Sequence, residues 1–208
     1  MEIDINSHSL EADNGWGSMY YDVIPSLINK FGFTSLVEVG VAFGGHLDSI
    51  LEKTKIEKVY GVDSYFLQNT STDSFSYDSK NYIQSDYDNL YIFTKQRLSK
   101  YGKRVDLIRK SSIDAAKEFE KESLDIVFID ADKSGYAEYY DLIIDRVKPG
   151  GIIITDNVLW SGKVIEPVKA NDEDTRLICV YNEKIAADSR VEVVLLPIRD
   201  GISIARKM

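Results

Sequence analysis

The sequence predicts an α/β fold with a seven-stranded, mostly parallel sheet, helices on both faces and an antiparallel hairpin strand at the C-terminal end. Three observations predict it. Strand and helix patterns alternate along the chain. The strand segments are solid apolar runs, as expected of parallel strands that are covered on both faces. The last two strands are separated only by Pro197-Ile198-Arg199-Asp200-Gly201, and Asp-Gly in so short a link is typical of a hairpin.

The elements follow in order. Strands are expected at 35–39, 57–62, 104–109, 124–129, 151–155, 191–196 and 202–206. Helices are expected at 18–30, 45–54, 86–101, 112–121, 134–147 and 171–188. The third helix has Ser85 as its predicted N-cap and Gly102 just past its end. For the fifth helix, Ser134 is the predicted cap and Pro149-Gly150 the stop. An open sheet built in this way is Rossmann-like.

Length and composition limit the possible functions. The 208 residues fit one domain, and a net charge of −9 with a pI near 4.8 argues against a nucleic-acid partner. The sequence has no apolar run of membrane-spanning length and no basic and apolar secretory signal at its start. The single cysteine, Cys179, fits a reducing cytoplasm. Because the only histidines are His8 and His46, a metal ion would be bound mostly by oxygen.

A long polar segment, 64-SYFLQNTSTDSFSYDSKNYIQ-84, separates the second strand from the helix that follows it. A loop of this length in a compact domain is usually functional or disordered. Its aromatic residues are compatible with a lid over an aromatic ligand. They are equally compatible with a surface excursion that a few aromatic side chains anchor.

The first strand ends in a glycine turn, 37-VEVGVAFGGH-46. Glycines there allow a tight turn and bring backbone amides close to a ligand at a helix N-terminus. The spacing matches neither the dinucleotide fingerprint nor the phosphate-binding P-loop. Glu38, two residues before Gly40, would repel a pyrophosphate and attract an ammonium or sulfonium group. The alternative is a plain strand-to-helix turn.

Asp63, at the end of the second strand, suggests a nucleoside ligand. An acidic residue at this point of such folds binds the two hydroxyls of a ribose. With Glu38 it indicates a nucleoside that carries positive charge, and S-adenosylmethionine meets both conditions. The alternative for Asp63 is a cap of a turn or helix.

The fourth and fifth strands also end in polar residues, Asp130 and Asp156-Asn157. Adjacent parallel strands lie roughly 4.8 Å apart, so their ends can face a common point. Two carboxylates and an amide oxygen there would suit a hard divalent cation, magnesium first, with calcium or manganese as alternatives. A helix cap is the alternative for each aspartate alone.

Lys133, beside Asp132, is the candidate general base. Near a divalent cation, a lysine can give up its proton and then accept one from a hydroxyl that the metal coordinates. The deprotonated oxygen would attack the sulfonium methyl group in line, without a covalent enzyme intermediate. The alternative is a solvated loop lysine.

Several motifs together resemble the cation-dependent class I O-methyltransferases, which include catechol and caffeoyl-CoA O-methyltransferases and their bacterial relatives. They are VEVGVAFGG, VYGVDSY, FIDADKSGYAEYY, GGIIITDNVLWSGKV and RVEVVLLPIRDGISIARK. The resemblance runs from about residue 35 to the end, except for 64–84. It implies one S-adenosylmethionine-dependent methyltransferase domain over 1–208, with Asp130, Asp156 and Asn157 as metal ligands and Lys133 as base. It also implies a catechol-like phenolic acceptor and a homodimer, and the single cysteine adds a cytoplasmic location as an expectation.

The same resemblance implies a set of cofactor-binding residues: Glu38, Gly40, Val41, His46, Asp63, Ser112 and Asp132. In it, Asp132 would contact the methionine amino group, Asp63 the ribose hydroxyls and Ser112 the adenine. His46 stands where the family usually has a serine that contacts the cofactor, and a core or capping histidine is the alternative. The long 64–84 segment and the N-terminal cover segment, 1–34, depart from the family where substrate choice is made.

Three other functions stay open at this point. A sugar-hydroxyl O-methyltransferase of related fold would also carry an acidic metal site. An NAD(P)-dependent reductase is suggested by Tyr91-x-x-x-Lys95, although the pair lies in the helix after the second strand and the glycine fingerprint is absent. The third is a non-enzymatic binding or scaffolding protein on a methyltransferase fold.

Overall fold

The computed structural model describes residues 20–66 and 82–208. These residues form two compact units, one made of 20–66 with 82–111 and the other of 112–208. The first nineteen residues of the expected N-terminal cover segment, and residues 67–81 of the expected inserted loop, lie outside the described residues. The expectations of a lid and of a single domain over 1–208 therefore stay predictions.

The first unit holds three parallel strands and three α-helices. In chain order they are α1 (Tyr20–Phe31), β1 (Ser35–Val39), α2 (Gly45–Lys53), β2 (Lys58–Asp63), α3 (Gln84–Leu98) and β3 (Val105–Arg109), with a 3-10 turn at Ser99–Arg104 before β3. β2 lies between β1 and β3 and is parallel to both. Val39 pairs with Val62, so Gly40 and Asp63 follow at neighbouring strand ends.

The second unit holds four strands and three α-helices. In chain order they are α4 (Ser112–Glu118), β4 (Leu124–Ile129), α5 (Tyr136–Ile143), β5 (Val147–Thr155), α6 (Glu173–Ala187), β6 (Val191–Leu196) and β7 (Ile202–Lys207). Short 3-10 turns occupy Lys133–Gly135, Ile144–Arg146 and Trp160–Ile165. β4 and β5 are parallel, while β7 is antiparallel to both β5 and β6. The predicted C-terminal hairpin is confirmed.

The apolar strand segments form the core, as their composition predicts. All six residues of β4 are buried, and so are the last five residues of β5. Such strands must be covered on both faces, which explains why they lack alternation of apolar and polar residues. Apart from the pair of Asp125 and Lys148 near the start of the two strands, polar side chains occur only towards the carboxyl ends of β4 and β5.

In the part of the chain that the structure describes, no helix has both the length and the apolar character that a membrane crossing requires.

The predicted start of α3 is wrong. Ile83 is its N-cap, and Ser85 lies inside the helix. The Asp86 carboxylate accepts a hydrogen bond from the Ile83 backbone N–H at 2.9 Å. This aspartate satisfies one of the unpaired amides at the helix start, which is the role expected of Ser85.

The predicted limits of α5 are also wrong. Ser134 lies in the 3-10 turn that precedes α5, and its hydroxyl donates to Asp132 instead of capping the helix. Pro149 and Gly150 lie within β5 and do not stop the helix. The register between β4 and β5 shifts after Leu124. An irregular pairing of this kind accommodates a proline, which has no N–H to donate.

Arg104 is expected to stabilise the first unit. Its guanidinium donates to the carbonyls of Leu51, Thr54 and Ile56 at 3.2, 2.9 and 3.0 Å. Carbonyls at a helix end lack partners within the helix, and a charged donor supplies them here. Arg104→Met should lower the free energy of unfolding in urea by about 2 kcal/mol. Lys103→Met is the control, and equal losses in the two variants would contradict this role.

Candidate active site

The glycine turn after β1 is fastened to Asp63. The backbone N–H groups of Val41 and Ala42 each donate to Asp63 Oδ2 at 3.0 Å. The Tyr65 N–H donates to Asp63 Oδ1 at 2.9 Å. A carboxylate offers about four acceptor positions, so three are used by the backbone and one is left for a ligand. Asp63 therefore shapes the turn, and its ribose contact stays a prediction.

Glu38 and His46 lie in contact within the first unit. Glu38 is only 2% exposed, and His46 Nδ1 lies 2.7 Å from Glu38 Oε2. A buried carboxylate needs a partner to offset its lost hydration, and the imidazole is such a partner. The structure thus brings His46 to Glu38. Direct contact of either residue with a cofactor stays a prediction.

The ends of β4 and β5 lie side by side in the second unit. Ile129 pairs with Thr155, and the Asp156 N–H donates to the Ile129 carbonyl at 3.0 Å. Asp130 and Asp156 therefore follow neighbouring strand ends, as their positions in the sequence predict. Asn157 comes next in a left-handed conformation, with φ of 59°, and its N–H donates to Asp156 Oδ1 at 2.6 Å.

Lys133 is buried beside these residues, with 4% of its surface exposed. Its Nζ donates to three acceptors: Ala131 O at 3.2 Å, Tyr136 Oη at 2.5 Å and Asn157 Oδ1 at 2.7 Å. Asp130 Oδ1 lies 3.6 Å from the same nitrogen. An ammonium group has three N–H donors, and all three have acceptors here. A single cation thus meets both the Asp130 carboxylate and the Asn157 amide oxygen.

The predicted metal ligands fit a hard cation by their chemistry. The Lys133 ammonium shows that Asp130 and Asn157 can face one positive charge, and Asp156 adds an adjoining carboxylate. Within residues 20–66 and 82–208, no three His, Cys, Asp or Glu side chains are grouped as a metal site. The predicted set has two carboxylates and an amide, so it requires Asn157 as its third ligand.

The segment that carries Asn157 is held by the link between β6 and β7. The Val158 N–H donates to Gly201 O at 3.1 Å, and the Leu159 N–H donates to Asp200 O at 2.8 Å. Asn182 Nδ2 of α6 donates to Val158 O at 2.8 Å. Asp200 and Gly201, the pair that predicts the hairpin from the sequence, thus also support the candidate site.

The two remaining predicted cofactor residues lie around Gly135. A Cβ built on this glycine would be 3.8 Å from both Asp132 Oδ2 and Ser112 Oγ. The structure therefore brings Asp132 and Ser112 close together within the second unit. What they bind stays a prediction.

Two aromatic residues beside Lys133 were missed by the sequence reasoning. The Lys133 ammonium lies 4.6 Å from the ring centroid of Tyr136 and 5.6 Å from that of Trp160. Burial, with Asp130 next, raises the pKa of the Tyr136 hydroxyl well above its ordinary value, so this hydroxyl keeps its proton. Both residues lie in the motifs that resemble the O-methyltransferases. The position of Tyr136, three residues after Lys133, could have indicated from the sequence that the two side chains meet.

Tyr91 and Lys95, the pair that suggested a reductase, are used in packing. The Tyr91 ring lies 5.3 Å from the Tyr65 ring and 5.1 Å from the Arg109 guanidinium. Lys95 Nζ lies 5.9 Å from the centroid of the Tyr91 ring. These contacts favour a structural role for the pair and weaken the reductase interpretation.

Comparison with known sequences points to one family. The model of the family described as O-methyltransferase matches residues 81–208, which is more than half of the chain. The chain is 45% identical over 89 residues to "Probable caffeoyl-CoA O-methyltransferase 1" of Dictyostelium discoideum. That match covers 43% of this chain and 39% of the relative. It thus spans about two fifths of the length of that curated relative.

Solved structures share the fold over nearly the whole chain. SAH-bound methyltransferase PaMTH1 of Podospora anserina has a TM-score of 0.73 at 21% identity, covering 98% of this chain and 84% of that one. O-methyltransferase TomG of Streptomyces achromogenes, in complex with SAM, has a TM-score of 0.74 at 16% identity, covering 100% and 91%. These likenesses confirm the Rossmann-like α/β fold. The match of the family model to residues 81–208, more than half of the chain, shows that the chain belongs to the O-methyltransferase family.

Proposed function

We propose that this chain is a divalent-cation-dependent O-methyltransferase. It transfers the methyl group of S-adenosylmethionine to a hydroxyl of a small, catechol-like phenolic acceptor. The observation that carries the proposal is the buried Lys133, whose ammonium joins the Asp130 carboxylate to the Asn157 amide oxygen. Membership of the family and the likeness to a relative named for caffeoyl-CoA O-methylation support it.

Each unit, taken by itself, offers residues that suit part of the cofactor. In the first unit, Glu38 offers a buried negative charge that favours a sulfonium group, and the turn at Gly40 and Val41 leads to Asp63. In the second, the neighbouring Asp132 and Ser112 supply a carboxylate for the methionine amino group and a hydroxyl for the adenine end. His46 would act on the cofactor through its contact with Glu38.

Asp130, Asp156 and Asn157 would hold the divalent cation, magnesium first and manganese or calcium as alternatives. When bound, such a cation would favour loss of the acceptor's proton and stabilise the negative charge that develops on oxygen. Asn157 is suited to this role because its left-handed backbone and its bond to Asp156 fix it beside the β5 end.

Lys133 would take the proton of the acceptor hydroxyl. The three acceptors around Nζ satisfy the three N–H groups of the resulting ammonium, which is the product of this proton transfer. The acceptor oxygen then forms a bond to the methyl carbon while the bond from that carbon to sulfur breaks. The electron pair of the broken bond stays on sulfur, so the sulfur of the product S-adenosylhomocysteine is a neutral thioether.

The Trp160 ring beside Lys133 is only partly buried and favours a phenolic acceptor, because a flat aromatic ring can stack on it. Sugars also pack on aromatic rings, so a sugar-hydroxyl O-methyltransferase is the second candidate. Methyl-transfer assays with catechols, caffeoyl esters, flavonoids and sugars would separate the two. A homodimer and a cytoplasmic location belong to the same proposal, on the family resemblance and the single Cys179.

Asp130→Asn tests the metal site. The side chain is 42% exposed, so its replacement should leave folding intact. We expect kcat/KM to fall on the order of 100-fold, because the variant loses a charged metal ligand. Binding of S-adenosylmethionine, measured by calorimetry, should stay within about twofold. The control is Asp141→Asn, which removes another exposed carboxylate that pairs with a lysine.

Two results would contradict the proposal. A wild-type rate that EDTA leaves unchanged would show that Asp130, Asp156 and Asn157 do not hold a catalytic cation. A wild-type chain that binds NADH and not S-adenosylmethionine would overturn the methyl-transfer function itself.

A further inference from the structure

Two residues next to the Asp63 carboxylate adopt a conformation that non-glycine residues rarely take. Ala42 has φ of 46° and Tyr65 has φ of 47°. Each such residue costs about 1 to 3 kcal/mol and persists only where its surroundings fix it. Both donate their backbone N–H groups to Asp63. Backbone strain is therefore present beside the Asp63 carboxylate, at the predicted cofactor turn.

The Ala42 carbonyl is held by two hydroxyl groups. Tyr65 Oη donates to it at 2.9 Å, and Thr94 Oγ1 of α3 donates to it at 2.7 Å. The Ala42 N–H is bound by Asp63 at the same time. Both polar backbone groups of this residue thus have defined partners, which explains how its left-handed conformation is maintained.

Tyr65 is itself fixed at several points. It is 1% exposed, and its carbonyl accepts from Gln84 Nε2 and from Arg109 Nη2 at 3.0 Å each. Burial, with the Asp63 carboxylate next, raises the pKa of its hydroxyl far above the ordinary value, so that the hydroxyl stays a donor. Gln84 stands at the other end of the 64–84 segment, so the two ends of that segment are joined at Tyr65.

We propose that Tyr65 is a positioning residue for the S-adenosylmethionine site. Its buried hydroxyl fixes the Ala42 carbonyl, and this holds the turn from Gly40 to Ala42 in the form that receives the cofactor. Thr94 shares the task from α3. Because Gln84 donates to the Tyr65 carbonyl, the two described ends of the 64–84 segment meet at Tyr65. This inference rests on the proposed function.

Tyr65→Phe removes the hydroxyl and keeps the ring that packs against Tyr91. We expect the KM for S-adenosylmethionine and the Kd for S-adenosylhomocysteine to rise about 5- to 10-fold, the equivalent of one lost hydrogen bond. The kcat value and the KM for the acceptor should stay within about twofold. Thr94→Val should act in the same direction because it removes the other donor to Ala42, and Thr94→Ser should restore binding.

The matched control is Tyr101→Phe. The Tyr101 hydroxyl donates to Asp48 Oδ1 at 2.6 Å and to Asp48 O at 3.0 Å. It is a tyrosine hydroxyl of the same unit, and its hydrogen bonds do not involve Ala42. This variant should lower Tm and leave both cofactor constants unchanged. Cofactor constants that are equally unchanged in Tyr65→Phe and Thr94→Val would overturn the positioning role while the methyltransferase proposal stands. A wild-type chain that binds neither S-adenosylmethionine nor S-adenosylhomocysteine would overturn the proposed function instead.

Discussion

Replacing Lys133 with methionine is expected to lower kcat for methyl transfer by about 100- to 10,000-fold, the usual contribution of a positioned general base. Methionine has a similar length and no nitrogen, so it cannot take the proton. Binding of S-adenosylmethionine should change by no more than about threefold. Because Asn157 Oδ1 and Tyr136 Oη lose a buried donor, the free energy of unfolding should also fall by about 1 to 3 kcal/mol.

A loss of stability alone could lower the rate, so two further variants are needed. Lys133→Arg keeps a positive charge that stays protonated, and it should be nearly as inactive as the methionine variant. Lys148→Met removes a lysine that pairs with Asp125 at 2.8 Å in the same unit, and it should keep full activity. An active arginine variant would mean that Lys133 serves as a structural cation and that another group takes the proton.

The parts of this site that follow from strand order were predictable. The apolar run 124–129 forms β4 with the expected limits, because burial on both faces leaves little freedom in where such a strand starts and stops. The adjacency of Asp130 and Asp156 follows from a parallel pair, and the pairing of Ile129 with Thr155 realises it. Neither inference required knowledge of a side-chain conformation.

The rest depends on partners that are distant in the sequence. The bond from Lys133 to Asn157 spans 24 positions, and the bond from Thr94 to the Ala42 carbonyl spans 52. Nothing in the local pattern around Asp63 indicates that backbone amides take three of its acceptor positions. The error at Pro149 has a similar origin, since the proline is tolerated through an irregular pairing of β5 with β4.

Gly201→Ala is expected to disturb the candidate metal site from outside it. Gly201 has φ of +84°, and a Cβ there would lie 2.5 Å from Leu159 Cγ and 2.9 Å from the Leu159 nitrogen. Since that nitrogen is backbone, the segment that carries Asn157 must move. The free energy of unfolding should fall by about 2 to 4 kcal/mol, from the left-handed conformation and from overpacking together. Methyl transfer should fall at least about tenfold, with weaker Mg²⁺ binding in calorimetry.

Gly150→Ala separates the clash from the conformational strain. Gly150 has φ of +81°, and no described atom lies within 4 Å of a Cβ built on it. This variant should lose only about 1 kcal/mol of stability and keep its activity. An alanine at this φ has an unfavourable backbone conformation, but its Cβ would clash with no neighbouring atom. Equal losses of stability and activity in the two variants would show that the β6–β7 link does not control Asn157. A selective loss in Gly201→Ala would mean that a residue without a side chain sets the position of Asn157, the proposed metal ligand. It would do so through the two hydrogen bonds that join the β6–β7 link to residues 158 and 159.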